Sequence, residues 1–410
     1  MKATMKDVFC LKSKRALSAL FLCLSLTACN DYPVANMPDE PLAQPLELII
    51  EPKKVAMTDT WAAGIKDDGT LWTWGSGGGK IRKTTTGKPE DPTPMQVAGV
   101  DDAVAISGGS SHMLLLKKDG TVWGWGSNSH GTIDPNDKAY AIYELKKIEG
   151  LPEIVSISAG SDHSFFIDKK GDVYVIGSNK TGLMNGVDEP IKVPLKLDKL
   201  NQIVEIYNEG GIVLALNSQG EVYTTGSSTY SLGREVKITK DKNIHYYPAE
   251  KVNLPRKAVD IAVTGIGCMA LLDNGEVWVW GNSSLAGLGL PKGEAPDFPI
   301  KHPDLKRIVN IGDRSAVDVD GNLYMWGEVG YGNPDAPSSK IYRRPVKIAE
   351  NVNPTMLIHG NNVSAVLDKQ GHLYTWGWDK YGQLGTGQLP GKEVSKKEVM
   401  TLHKSLFTTH

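Results

Sequence analysis

Short alternating runs of apolar and small or polar residues recur along the chain, each stopping at a glycine. One of them reads Asp119-Gly120-Thr121-Val122-Trp123-Gly124-Trp125-Gly126. Seven versions occur, closing at Gly75, Gly126, Gly177, Gly226, Gly281, Gly327 and Gly377, at intervals of 51, 51, 49, 55, 46 and 50 residues. A self-similar period of that size predicts a propeller or solenoid array, in which single units cannot bury their apolar faces and must stack. That overrides the two or three domains that 410 residues would suggest by length alone.

Within the second unit, Ala103-Val104-Ala105-Ile106-Ser107 ends at Gly108-Gly109 and is followed by His112-Met113-Leu114-Leu115-Leu116. Asp119-Gly120 then leads into Val122–Trp125. Asp-Gly accepts positive φ at low cost, so the spacing predicts a two-residue hairpin turn here. The equivalent turns are Asp68-Gly69, Lys170-Gly171, Gln219-Gly220, Asn274-Gly275, Asp320-Gly321 and Gln370-Gly371. A fourth segment follows, as in Pro94-Met95-Gln96-Val97, Pro194-Leu195-Lys196-Leu197, Pro299-Ile300-Lys301 and Pro345-Val346-Lys347-Ile348. The proline marks it as an outer edge strand, where a missing N–H does little harm. The prediction is an all-β, seven-bladed propeller with four antiparallel strands per blade, over residues 47–404, with a tail at 405–410. Raw strand edges are avoided only if the ring closes. Leu46–Ile50 or Val399–Leu402 is expected to complete the last blade across that closure.

A glycine pair, His-x-x-x-Leu, Asp-Gly-x-Val-Trp/Tyr-x-Trp-Gly and a later Gly-Gln-Leu-Gly together resemble the repeat of the regulator-of-chromosome-condensation family of propellers. The pattern is fullest from Gly108 to Gly126 and from Gly371 to Gly385, and the resemblance spans about Val55 to Leu402. Departures are visible. The histidine position reads Trp61, His112, His163, Ile212, Gly267, Asp313 and Val363 in successive units. The Gly-x-Leu-Gly element survives near Gly382 and, degraded, at Ser231-Leu232-Gly233 and Gly287-Leu288-Gly289.

The first residues change the picture. Lys2, Lys6, Lys12, Lys14 and Arg15 precede an uncharged, mostly apolar run from Ala16 to Ala28, too short to span a bilayer and of the length of a signal-peptide core. It ends Leu26-Thr27-Ala28-Cys29, which resembles the lipobox of bacterial lipoproteins and implies lipidation of Cys29 after cleavage of 1–28. Residues 29–46, rich in proline and acid, read as a tether. Asn30 in place of Asp implies the outer membrane in a two-membrane host, or the outer face of the plasma membrane in a single-membrane one. Formal charge is −2, and −6 without the leader (40 Lys and Arg against 46 Asp and Glu). With no basic excess, nucleic acid is not the expected partner. Cys268 lies in an apolar strand and reads as an inert buried thiol, and no disulfide framework is present.

No catalytic, cofactor or metal residue stands out. HExxH, CxxC and GxSxG motifs are missing, and Gly75-Ser76-Gly77-Gly78-Gly79-Lys80 lacks the Ser/Thr and helix of a phosphate loop. His112 and His163 occupy matching repeat positions, so they are expected to hydrogen-bond their own blades. Four residues past each closing glycine lie Gly79, His130, Thr181, Tyr230, Leu285, Tyr331 and Tyr381, a ring at one end by repeat symmetry. Tyr230, Tyr331 and Tyr381, with Trp378, are the candidate partner-binding residues, against the alternative that they pack their own loops. The expected function is that of a non-catalytic, lipid-anchored, monomeric scaffold for an extracytoplasmic protein, without cofactor. The alternatives are an inhibitor of an extracellular enzyme and a glycan-acting hydrolase or lyase. Nucleotide exchange on a small GTPase, the role of the family founder, conflicts with export.

Overall fold

In the computed structural model the described residues are 37, 41–76, 81, 90–179, 191–209, 211–227, 231–236, 246–265, 267–282, 287–329, 340–360, 363–389 and 402–410. Their strands form seven four-stranded antiparallel sheets, each built from strands in chain order. Blade 1 consists of Val55–Met57, Trp61–Ile65, Leu71–Ser76 and Glu90–Gln96. The first strands of blades 2 to 7 are Ala103–Gly108, Ile154–Ala159, Ile203–Glu209, Ala258–Thr264, Ile308–Gly312 and Pro354–Gly360. First strands of successive blades touch one another, and that of blade 7 touches that of blade 1, so they line the axis of a closed ring. The expected seven-bladed propeller is what the chain forms.

The middle strands are buried on both faces, as at His112–Lys117 and Gly267–Leu272, because each sheet is sandwiched between two others. The apolar core is therefore a set of layers between blades. One joins Ala63, Ile65 and Leu71 of blade 1 to Ile106, Met113 and Trp125 of blade 2. Another joins Trp74 of blade 1 to Ala365, Leu384 and Phe407 of blade 7.

Three expectations are corrected. The Asp-Gly turns are three-residue loops: Gly120 N–H donates to Lys117 O at 2.9 Å and Lys117 N–H to Thr121 O at 3.0 Å, with Gly120 at φ 79°. A tight turn followed by a left-handed glycine is the three-residue hairpin geometry, and the Asp119 carboxylate fixes it by accepting from Thr121 N and Oγ1 at 2.9 and 2.6 Å. Closure does not use Leu46–Ile50, which is not a strand, and of the Val399–Leu402 segment residues 399–401 lie outside the described residues. The outer strand of blade 7 is His403–Thr408, so the residues expected as a tail complete the last sheet. Among the described residues no sheet mixes the two ends of the chain. The 29–46 segment is not wholly a free tether either. Met37 is buried among Leu305 and Ile308, and Leu46 N–H donates to Asp273 O at 2.6 Å.

Candidate functional site

The axis encloses a cavity of about 160 Å³ to which all seven first strands contribute. Glycine makes the strands' close approach possible: a Cβ on Gly108 would lie 2.6 Å from Met57 O, and one on Gly109 2.0 Å from Gly160 O. Strand alternation then decides what points inward. On the first strand of blade 4, Glu205, Tyr207 and Glu209 share one face.

The charges fall into two layers. In the lower layer Lys53, from the segment before blade 1, reaches across the axis to Tyr207 Oη at 2.5 Å and Glu205 at 3.3 Å. Asp260 of blade 5 lies beside them, and burial followed by the charge of Glu205 pushes its carboxyl well above the usual range. The upper layer is four strand residues further on, about 13 Å. There Glu209 meets Asp313 of blade 6, and Arg314 forks onto Asp313 with two bonds of 3.2 Å. Burial, then the charge of Asp313, pushes Glu209 up to about 8, although Gly265 N–H donates to it at 3.2 Å. These layers were missed from the sequence. The period-two phrase Glu205-x-Tyr207-x-Glu209 was the available signal.

Of the predicted loop ring, Tyr230 and Tyr331 lie outside the described residues, as do Gly79, Thr181, Leu285 and the lipidation candidate Cys29. His130 pairs with Asp162 of the next blade at 3.1 Å. Trp378 and Tyr381 do come together, edge to face at 5.4 Å and 74°, with the Lys380 ammonium 5.5 Å from the tyrosine ring. Trp378 is only 8% exposed, whereas Tyr381 is half-buried. Beneath them burial pushes the Asp379 carboxyl up to about 7, against the pull of the Leu384 N–H.

His112 joins two blades, which corrects the expectation of a bond within its own, while His163 bonds its own blade as expected and the next one as well. His112 Nε2 is 2.9 Å from Ser164 Oγ of blade 3. His163 bonds its own Ser178 O at 2.6 Å and also Asn208 of blade 4 at 3.1 Å. Cys268 is fully buried, its thiol pushed up by burial, as an inert thiol should be. Among the described residues no group of three or more His, Cys, Asp or Glu could hold a metal ion.

Comparison with known proteins places these features in a family context. Models of the regulator of chromosome condensation (RCC1) repeat match residues 103–132, 154–182 and 370–402. The chain is 24% identical over 381 residues to human E3 ubiquitin-protein ligase HERC2, covering 86% of this chain and 8% of that one. It is 25% identical over 315 residues to the human RCC1-like G exchanging factor-like protein, covering 68% of this chain and 65% of that protein. It thus spans less than two thirds of either relative. The structure of Prp20p from Saccharomyces cerevisiae superposes with a TM-score of 0.65 at 19% identity, over 87% of this chain and 86% of that one.

Proposed function

Since this chain belongs to the regulator of chromosome condensation repeat family of β-propellers, we propose that it is a non-catalytic scaffold holding another protein on one end of the ring. That end is the loop face, where each first strand turns into the second and each third strand leaves for the fourth. The observation that carries the reading is that the upper charged layer and the Trp378–Tyr381–Lys380 cluster both lie on that end of a rigid frame. Propellers bind through such loops because the sheets beneath them do not move. The yeast Prp20p structure was described together with its binding to Gsp1p and histones, which are protein partners of that protein.

A photo-crosslinking residue at Tyr381 in the full chain tests this, with the same residue at Lys118 on the Asp-Gly face as control. A partner trapped from 381 and not from 118 is the expected outcome, and the reverse moves the site to the other face. If the trapped protein is an extracellular enzyme that loses activity when bound, the scaffold acts as an inhibitor. In this reading Cys29 carries a lipid, so Cys29→Ala should abolish both lipid labelling and membrane partition.

A second reading, guanine-nucleotide exchange, draws on the exchange-factor relative. Accelerated release of labelled nucleotide from a small GTPase of the same organism would establish it.

A further inference from the structure

The two axial layers differ in how their carboxylates are balanced. Along the axis stand Asp59, Glu205, Glu209, Asp260 and Asp313, against the cations Lys53 and Arg314. The lower layer receives a lysine from outside the repeat: Lys53 ends on Glu205 and Tyr207. In the upper layer Arg314 is paired with Asp313 and its charge also favours the ionised form of Glu209, which receives a backbone N–H from Gly265 but has no basic side chain at ion-pair distance among the described residues. Asn208, which lines the same cavity, gives its Nδ2 to His163, while its enclosed Oδ1 accepts no hydrogen bond. The upper wall thus presents the Glu209 carboxyl without a cationic partner at ion-pair distance among the described residues.

We propose that the upper layer of the axial cavity receives a basic side chain, lysine or arginine, presented by the protein partner on the loop face, as Lys53 serves the lower layer. This deepens the scaffold reading and rests on it. The incoming ammonium or guanidinium donates to Glu209 and adds positive charge to an axis where acids outnumber Lys53 and Arg314. The cavity, at about 160 Å³, is far above the ~15 Å³ that one water needs, so a cationic head with part of its stem fits. Acids outnumber the two cations Lys53 and Arg314 along the axis, and a net excess of one sign in a recess focuses the field on an approaching cation. A divalent metal ion is disfavoured because its ligands would have to converge on one point, and no such group exists among the described residues.

The test is titration of the full chain, by calorimetry and by NMR, with N-acetyl-arginine methylamide and N-acetyl-lysine methylamide. N-acetyl-glutamine methylamide and calcium chloride serve as comparisons. Saturable binding of a basic amide is expected, with the glutamine amide and the Glu209→Gln variant each weaker by about tenfold. Glu209→Gln is nearly isosteric with the neutral carboxyl that burial favours and should fold. If it does not, Glu209→Asp, which keeps the carboxyl but shortens its reach, carries the same comparison. Absence of saturation by either basic amide, unchanged affinity in the variant, or displacement of the amide by stoichiometric calcium overturns the proposal. The titration needs no partner, so its failure is distinct from failure of the crosslinking test.

Discussion

The boundary between blades 4 and 5 and the boundary between blades 2 and 3 do the same job with different chemistry. At the first, the indole of Trp280 in blade 5 donates to Ser231 O in the preceding blade's loop at 3.0 Å. The indole lies over Gly233, where a Cβ would come within 2.6 Å of the ring. The closing seam repeats this, with Trp74 on Gln383 O at 2.9 Å over Gly385, and so does the next boundary, with Trp326 on Gly287 O at 2.8 Å over Gly289. At the second boundary Ile176 stands at the tryptophan position. Ser164 Oγ donates instead to Thr132 O at 2.6 Å, and His112 Nε2–H donates to Ser164 Oγ. The degraded Gly-x-Leu-Gly element thus acquires a physical meaning. It is the bed of the next blade's tryptophan, and where the indole is gone a serine–histidine pair takes over the loop carbonyl.

The seam between blades 7 and 1 is the extreme of the tryptophan type, because no peptide bond links the two blades. Trp74 stacks on Phe407 at 5.2 Å and 24°, and Phe407 fills the space that Gly64 leaves open. Phe407→Ala should have the largest effect, about 3–5 kcal/mol in urea unfolding of the full chain. A loss under ~1 kcal/mol would show that the main-chain bond from Asp67 N–H to Thr409 O carries the closure instead. Trp280→Phe should rank next, at about 2 kcal/mol, since it loses the indole N–H and part of the ring's burial. An effect as large as that of Phe407→Ala would erase the distinction between a covalently linked boundary and the seam.

Architecture was legible because it rests on local signals that repeat seven times: glycine at each closing position, apolar middle strands and Asp-Gly turns. Every closing glycine does take positive φ, from 86° at Gly75 to 137° at Gly226. What was not legible depends on contacts between blades far apart in the chain. Phe407 in a strand looks like any apolar residue near an end until Gly64, more than 300 residues away, supplies its space. Turn length was missed because Asp-Gly suits both two- and three-residue loops, and the bonds of Asp119 to Thr121 decide between them. The axial layers escaped because Glu205, Asp260 and Asp313 belong to different units at positions that the repeat pattern leaves free. Of the loop ring, the sequence brought Trp378 and Tyr381 together correctly as neighbours, but burial of Trp378 depends on how its loop folds back.

The two boundary types should also separate by pH. Burial, then the charge of His163, pushes His112 down to about 3. Its folded pKa lies below the unfolded value, so the unfolded chain binds the extra proton between about pH 6.5 and 3. Stability is therefore full above pH 6.5 and is lost as pH falls through that window. His112→Phe should cost about 1 kcal/mol at pH 7, the value of one buried hydrogen bond, and should flatten the acid limb of the melting curve. Trp280→Phe should leave that limb unchanged. His302, pushed down to about 4 chiefly by burial, keeps a residual acid sensitivity in both variants. Equal acid limbs in the wild type and His112→Phe would mean that His112 is not held neutral in the fold.

The smallest effect is expected at Tyr381, and it decides whether the loop cluster belongs to the seam or to the surface. Its backbone N–H donates to Gln383 Oε1 at 2.9 Å, and Gln383 O is the acceptor of the Trp74 indole, so the tyrosine is one step from the closure. The ring itself rests edge to face on Trp378 and is half-buried. Tyr381→Ala keeps the backbone bond and loses the aromatic contact, which at a half-buried site is worth about 0.5 kcal/mol. A surface role predicts a change in melting temperature of only a few degrees, together with loss of the partner crosslink when the crosslinker is moved to Lys380. A destabilisation approaching that of Phe407→Ala, with the crosslink intact, would assign the ring to holding blades 7 and 1 together.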